Sequence, residues 1–159
     1  MSWTTLVGVG ALVAHEGRVL MIRQRRAYGV HWEVPSGYCE PGESFEEAAA
    51  REVLEETAVG VEIGELVCTM VWERKHDRRH NVLAYFAATP VSTAPEPRPQ
   101  SEEDIEAAVF LDPADLPGDE IHPLERPILE RWWGLRETGF HLVADVHVHA
   151  DGTQSYVFR

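Results

Sequence analysis

The chain has few cysteines, few basic side chains and no long apolar run. Its two cysteines, Cys39 and Cys68, cannot form a disulfide framework and lack zinc-site spacing. Lys and Arg total 14 against 27 Asp and Glu, and the net charge of −13 argues against nucleic acid or an anionic membrane as partner. No run of residues is long and apolar enough to span a bilayer, and the first residues lack a secretory pattern. We therefore expect a cytoplasmic protein with reduced thiols.

The length of 159 residues and a hydrophobic fraction of 44% favour one globular domain over residues 1–159. Apolar alternation predicts several strands, at 4–14, 19–24, 65–72, 81–88 and 106–111. Residues 28–32 are expected to form a loop. A C-terminal hairpin is expected within 140–158, turning at Asp151-Gly152. An amphipathic helix is predicted over 124–138, with these residues inward: Leu124, Ile128, Leu129, Trp132 and Leu135.

The most informative stretch runs from Gly37 to Val59. Ser44 and Glu47 have the spacing of a capping box, so a helix should begin near Phe45. Helical periodicity then places three glutamates on one face: Glu52, Glu55 and Glu56. A second stripe is apolar enough to seat this helix on a core: Ala50, Val53, Leu54 and Thr57.

Three neighbouring carboxylates repel one another unless a positive charge lies among them. Hard divalent cations prefer oxygen ligands, and Mg²⁺ typically combines a few carboxylates with substrate phosphates. The glycine-rich loop before the helix brings backbone close to this face, so the Gly37 carbonyl could also bind a metal. The pattern predicts a cation site.

These residues resemble the Nudix box, in which Gly, five residues, Glu and seven residues precede Arg-Glu-U-x-Glu-Glu-x-Gly-U, where U is a bulky aliphatic residue. The matching positions are Gly37, Glu43, Arg51, Glu52, Val53, Glu55, Glu56 and Val59. Ala58 stands where the family usually has Gly, which affects the exit of the helix because Ala resists the left-handed conformation.

The resemblance implies an α/β fold, an α/β/α sandwich with a mixed β-sheet, to which residues 140–159 would add a C-terminal hairpin. It also implies an Mg²⁺-dependent pyrophosphohydrolase, in which Mn²⁺ can substitute, acting on a nucleoside diphosphate linked to another group. The metal ligands would be the Gly37 carbonyl, Glu52, Glu55 and Glu56. Nucleoside triphosphates, ADP-ribose and dinucleoside polyphosphates all remain open as substrates.

The expected catalytic set is Glu52, Glu56, Arg51 and Glu103, with Glu43 as a supporting residue. Glu52 is the first candidate for the general base. Glu103 is the second, on the resemblance to enzymes with a downstream acid, and three neighbours compete with it: Glu102, Asp104 and Glu106.

Candidate substrate contacts lie upstream of the box. Arg23 and Arg25 share a strand face and could reach a phosphate, or could face solvent. Trp32 could stack on a base, although packing is favoured. A basic turn could clamp a polyphosphate, although a charged hairpin tip is favoured: Arg74, Lys75, Arg78 and Arg79. Asp145, His147 and His149 share one strand face and are interpreted as surface residues in preference to a metal site.

A different class of function is also open, namely a noncatalytic module that senses a nucleotide or a metabolite. Such relatives generally lack one or more box acids, whereas this chain keeps them all. The expected partner is a small nucleotide in either case, and a homodimer is an open expectation drawn from the family resemblance.

Overall fold

The structure is a computed structural model that describes residues 2–159. Nine strands and two α-helices occur within those residues. The strands are β1 (Thr4–His15), β2 (Arg18–Arg26), β3 (Gly29–Glu33), β4 (Ser36–Tyr38), β5 (Val61–Arg74), β6 (Arg79–Pro90), β7 (Ile105–Leu111), β8 (Phe140–Val148) and β9 (Gln154–Phe158). The helices are α1 (Phe45–Thr57) and α2 (Arg126–Leu129). No helix in this described range is long and apolar enough to cross a membrane.

The strands form one mixed sheet in the order β3-β2-β1-β6-β5-β8-β9, with β4 added to β1 and β7 added to β2. β1 and β6 are parallel over their length, as are β5 and β8, while the other pairs are antiparallel. The sheet carries α1 on one face and the C-terminal helical segment on the other. The α/β class is therefore confirmed.

The predicted strands at 4–14 and 19–24 belong to β1 and β2, which follow one another in the chain but pair with each other only at Ala14 and His15 of β1. Both faces of β1 are buried around Leu12 and Val13, which requires a central position in the sheet. β2 instead pairs with β7 and β3. Residues 29–33 form β3, so the expected loop at 28–32 is wrong there; a turn around Tyr28 folds this strand back on β2.

The predicted start of α1 is confirmed by a complete capping box. The Ser44 hydroxyl accepts a hydrogen bond from the Glu47 amide at 3.1 Å, and the Glu47 carboxylate accepts one from the Ser44 amide at 3.1 Å. The helix ends on Ala58, which adopts the left-handed conformation at φ 61° and ψ 15°. Ala58 therefore takes the backbone geometry that glycine favours.

The face of α1 that packs on the sheet differs from the apolar stripe predicted from the sequence. Leu54 is 55% exposed and Ala50 is partly exposed. The buried positions are Ala48, Ala49, Val53, Glu56 and Thr57. The helix is rotated so that Glu56, a polar residue, lies on the inner side where hydrophobic periodicity alone would not place it.

The predicted helix over 124–138 is wrong in its length and in its last inward residue. Only α2 is α-helical, and a π-helical segment, Glu130–Gly134, follows it. The Leu135 amide donates to the Glu130 carbonyl five residues earlier, at 3.0 Å, so the helical register shifts. Leu135 is consequently 66% exposed, while Ile128 and Leu129 are buried as expected.

The C-terminal hairpin extends the sheet. β8 adds in parallel to β5, and β9 pairs with β8 as the outer strand. Phe140, Ala144 and Val146 of β8 join the larger core cluster, which explains why this hairpin is ordered against the rest of the molecule. Both cysteines are free thiols, and Cys68 is buried.

Candidate active site

One cleft of about 380 Å³ lies beside α1. The segment from β4 to α1 supplies much of its acidic lining, together with Glu103 from the loop before β7. β5 and β6 supply aromatic and apolar side chains, including Trp72 and Leu83. A polar floor completes the cleft and consists of Gln24, Arg26, Glu33, Tyr85, His122 and Glu125.

Arg51 organises the acidic part of this cleft. Its guanidinium donates to both oxygens of Glu43, at 2.7 and 2.9 Å, in a two-point pair. It also donates to Glu52 at 2.8 Å, to Glu55 at 3.2 Å and to the Tyr38 carbonyl at 3.0 Å. Glu43 and Arg51 therefore tie the glycine loop to α1, the arrangement expected of supporting residues.

Glu52 lies directly against Gly37. A Cβ atom built on residue 37 would stand 2.1 Å from the Glu52 Cδ, closer than any real side-chain contact. Glycine at this position is thus what allows the Glu52 carboxylate to lie beside the backbone. The side chain of Glu52 is 14% exposed and lines the cleft. Burial raises its pKa, and the Arg51 hydrogen bond opposes that effect.

Glu56 is the most buried of the box acids, at 6% exposure. Its carboxylate accepts a hydrogen bond from the Ser36 amide at 2.9 Å, which also fixes the chain just before Gly37. Burial, followed by repulsion from Glu52, raises the pKa of Glu56 to about 9. The buried carboxyl group of Glu56 and the partly buried one of Glu52 face one cleft, and a positive charge between them would favour the ionised form of both.

Glu55 is placed differently from its two neighbours. Its side chain is 49% exposed and points to Arg51. Within the described residues no group of three His, Cys, Asp or Glu is gathered closely enough to hold a metal. The donor chemistry still fits a hard cation, because two carboxylates and a glycine-lined backbone border the same space.

Glu103 lies on the same cleft and close enough to Glu52 to raise the pKa of that carboxyl. Its backbone carbonyl accepts a 2.7 Å hydrogen bond from Gln24, which fixes this short segment to β2. The three competing acids, Glu102, Asp104 and Glu106, do not line the cleft. Glu106 pairs with Arg25, and the backbone carbonyl of Asp104 accepts a hydrogen bond from the Arg25 amide.

The structure does not bring Arg23 or Arg25 to the cleft. Both pair with Glu106 on the other side of β2, whereas Gln24 and Arg26 face the cleft because side chains alternate along a strand. Trp32 packs against the larger hydrophobic cluster and does not line the cleft. Its backbone forms a bridge to Ile121, which agrees with the packing alternative.

The basic turn and the histidine strand also lie outside the cleft lining. Arg74 forms an ion pair with Asp77 across the turn and lies over the Trp72 ring, with 5.8 Å from its Cζ to the ring centroid. On β8, Asp145 pairs with Arg159, and His149 hydrogen-bonds Ser155 at 2.9 Å. These contacts agree with surface roles for both segments.

The residues of the polar floor were not among the site residues predicted from the sequence. Arg26 donates to both oxygens of Glu33, at 3.2 and 3.0 Å, and burial raises the pKa of Glu33. His122 hydrogen-bonds the Tyr28 hydroxyl at 3.1 Å, and burial lowers its pKa to about 3. Strand alternation could have placed Arg26 beside Gln24 in the cleft. No local pattern indicates that His122 returns to β3, since long-range packing determines that contact.

The NUDIX domain family profile matches residues 4–132, so the chain belongs to the NUDIX domain family. The C-terminal hairpin lies beyond that match.

The chain is similar to Nudix hydrolase 5 from Arabidopsis thaliana, with 36% identity over 80 residues, covering 45% of this chain and 26% of that protein. It is also similar to a MutT-like protein from Streptomyces ambofaciens, with 47% identity over 57 residues and 36% of each chain covered. The chain thus spans about a quarter to a third of these relatives. Its fold resembles the crystal structure of a MutT NUDIX hydrolase from Burkholderia pseudomallei, with 29% identity, a TM-score of 0.68 and 80% and 97% of the two chains covered.

Proposed function

We propose that the protein is a divalent-cation-dependent pyrophosphohydrolase that cleaves a phosphoanhydride bond in a nucleoside diphosphate linked to another group. The observation that carries this proposal is the position of Glu52 and Glu56, both turned from α1 into one cleft beside Gly37. Family membership supports the reaction class, because the similar proteins are named as hydrolases.

Mg²⁺, or Mn²⁺ in its place, would be held by Glu52, Glu56 and the Gly37 carbonyl, with Glu55 joining after release from Arg51. When bound, such a cation supplies positive charge against the phosphate oxygens and Lewis acidity toward water. Arg51 keeps Glu52 in place and neutralises part of the local negative charge. Glu43 holds Arg51 through its two-point contact.

A carboxylate must accept the proton of the attacking water. Glu52 is the first candidate because it lies against Gly37 inside the cleft. Glu103 is the second because it lines the same cleft from the segment that precedes β7. Glu103→Gln with Glu102→Gln as its matched control separates the two. A base role for Glu103 predicts loss of the acidic limb of the pH profile of kcat in the first variant only.

The test of the function itself is hydrolysis of a panel of nucleoside triphosphates, ADP-ribose and dinucleoside polyphosphates, followed as formation of the two phosphorylated products of each cleavage, with and without Mg²⁺. Glu56→Gln should retain the fold and reduce turnover by about 10²-fold or more, since it removes a ligand of the cation that would neutralise charge on the reacting phosphate. Glu46→Gln is the control, because Glu46 is an exposed helix residue outside the cleft lining. Near-normal hydrolysis by Glu56→Gln at saturating Mg²⁺ would contradict the proposal.

The same panel addresses the noncatalytic alternative. Tight binding of a nucleotide without release of any product, across all substrates and both metals, would identify a sensing module. The cytoplasmic location and the homodimer stay predictions.

A further inference from the structure

Asn81 occupies the wall of the cleft that β5 and β6 supply. It is 1% exposed, and on β6 it shares a face with Leu83 and Tyr85, which also line the cleft. Its cross-strand neighbour on β5 is Trp72, another lining residue. The surroundings of the Asn81 amide are therefore largely aromatic and apolar.

Only one end of this amide is engaged within the described residues. Its Oδ1 accepts a hydrogen bond from the Tyr38 hydroxyl at 3.1 Å, and Tyr38 is 45% exposed at the rim of the cleft. Its Nδ2 is buried and has no hydrogen-bond partner. A buried N–H donor without a partner destabilises a fold, and leucine of similar shape would avoid that penalty.

A second unpartnered buried atom helps to define what is particular about Asn81. The Nδ1 of His31 also lacks a partner among the described residues, but His31 does not line the cleft. Of these two buried atoms, only the Asn81 Nδ2 belongs to a residue that lines the candidate active site. A donor in an aromatic setting suits a planar ring that carries a carbonyl group.

We propose that the Nδ2 of Asn81 donates a hydrogen bond to a ring carbonyl of the substrate base and thereby selects oxo-bearing bases over amino-bearing bases, a proposal that rests on the proposed function. The Tyr38 hydroxyl fixes the orientation of the amide by holding Oδ1. The base would lie in the cleft beside Trp72 and Tyr38, which both line it. An amino group in place of the carbonyl would put a second hydrogen-bond donor against Nδ2.

Matched nucleotide pairs test this selectivity. Inosine and adenosine monophosphates differ in the group at purine position 6 and contain no phosphoanhydride, so their binding reports base recognition independently of hydrolysis. We expect the inosine nucleotide to bind roughly tenfold more tightly. The same order should appear in kcat/KM for inosine and adenosine triphosphates with Mg²⁺.

Asn81→Leu should abolish this preference while leaving the protein as stable as wild type or more stable, because it removes the unpartnered donor. A purely structural role predicts lower stability and an unchanged preference. His80→Gln is the matched control, since His80 lies next to Asn81 on β6 but faces the other side of the sheet, where it contacts Thr5. Tyr38→Phe should weaken the preference without abolishing it.

The proposal is overturned if the wild type binds both monophosphates equally or prefers the adenine nucleotide, or if Asn81→Leu keeps the wild-type preference. A retained inosine preference without hydrolysis of any compound of the substrate panel would count against the proposed function alone. Hydrolysis of both triphosphates with equal kcat/KM would count against the role of Asn81 alone. If neither monophosphate binds and no compound of the panel is hydrolysed, both proposals fail.

Discussion

The carboxylate of Glu125 accepts a hydrogen bond from the backbone amide of Val34 at 2.9 Å, although the two residues are 91 positions apart. The Ser36 amide is held in the same way by Glu56. Two buried carboxyl groups, one from each helical region, therefore fix the chain that leads into Gly37. The position of Gly37 depends on the C-terminal helical segment as well as on α1.

Glu125→Gln should change the dependence of stability on pH. Burial raises the pKa of Glu125 to about 8, above its ordinary value of 4.5. Because the folded protein holds this proton more tightly than the unfolded chain, the group contributes its whole stabilisation below pH 4.5. That contribution is lost as the pH rises toward 8. The variant lacks this titration, so its stability relative to wild type should increase between pH 5 and 8, by at most about 1.4 kcal/mol per pH unit. Urea unfolding of both proteins at several pH values measures this change. A difference in unfolding free energy that stays constant with pH would refute the expected pKa.

Ala58→Gly should stabilise the protein. Ala58 ends α1 at φ 61°, where a Cβ is unfavourable and glycine is not. We expect the free energy of unfolding to rise by about 1 kcal/mol, with hydrolysis unchanged. Ala50→Gly is the contrasting control, because glycine inside the same helix should lower stability by about 1 kcal/mol. Equal effects of the two substitutions would argue against strain at Ala58.

Gly37→Ala should impair activity more than stability. The added Cβ would displace the flexible carboxylate of Glu52, which stands 2.1 Å from its position. We expect kcat to fall by about tenfold or more, with only a small loss in the unfolding free energy. Gly60→Ala is the control, since nothing lies within 4 Å of a Cβ there. A kcat that is equally insensitive to both substitutions would remove Glu52 from its proposed role.

Divalent cations should stabilise the folded protein by an amount set by the ratio of their concentration to their Kd. Mg²⁺ at one hundred times its Kd would add about 2.7 kcal/mol to the unfolding free energy, seen as a rise in Tm that EDTA reverses. Glu56→Gln should reduce this rise, while Glu46→Gln should leave it as in wild type. An identical response in all three proteins would place the cation elsewhere.

Local sequence rules determined much of the site. The capping box sets the start of α1, and helical spacing puts Glu52 on the same side as Glu56. The link from Arg51 to Glu55 at i+4 was also evident from spacing. These features involve neighbours along the chain, so the pattern of residues contains the information that specifies them.

The tertiary structure decided what the sequence could not. Leu54 faces solvent and Glu56 faces inward because the loop at Ser36 offers a hydrogen bond that no helical pattern reveals. Arg23 turns away from the cleft because the pairing of β2 with β7 sets which face of the strand is inner. Asn81 meets Tyr38 across β1, which lies between β4 and β6 and pairs with both. The sequence by itself determined the family and the chemistry of the box, whereas long-range strand pairing and burial decided which polar groups share the cleft, because such contacts depend on the packing of the whole sheet.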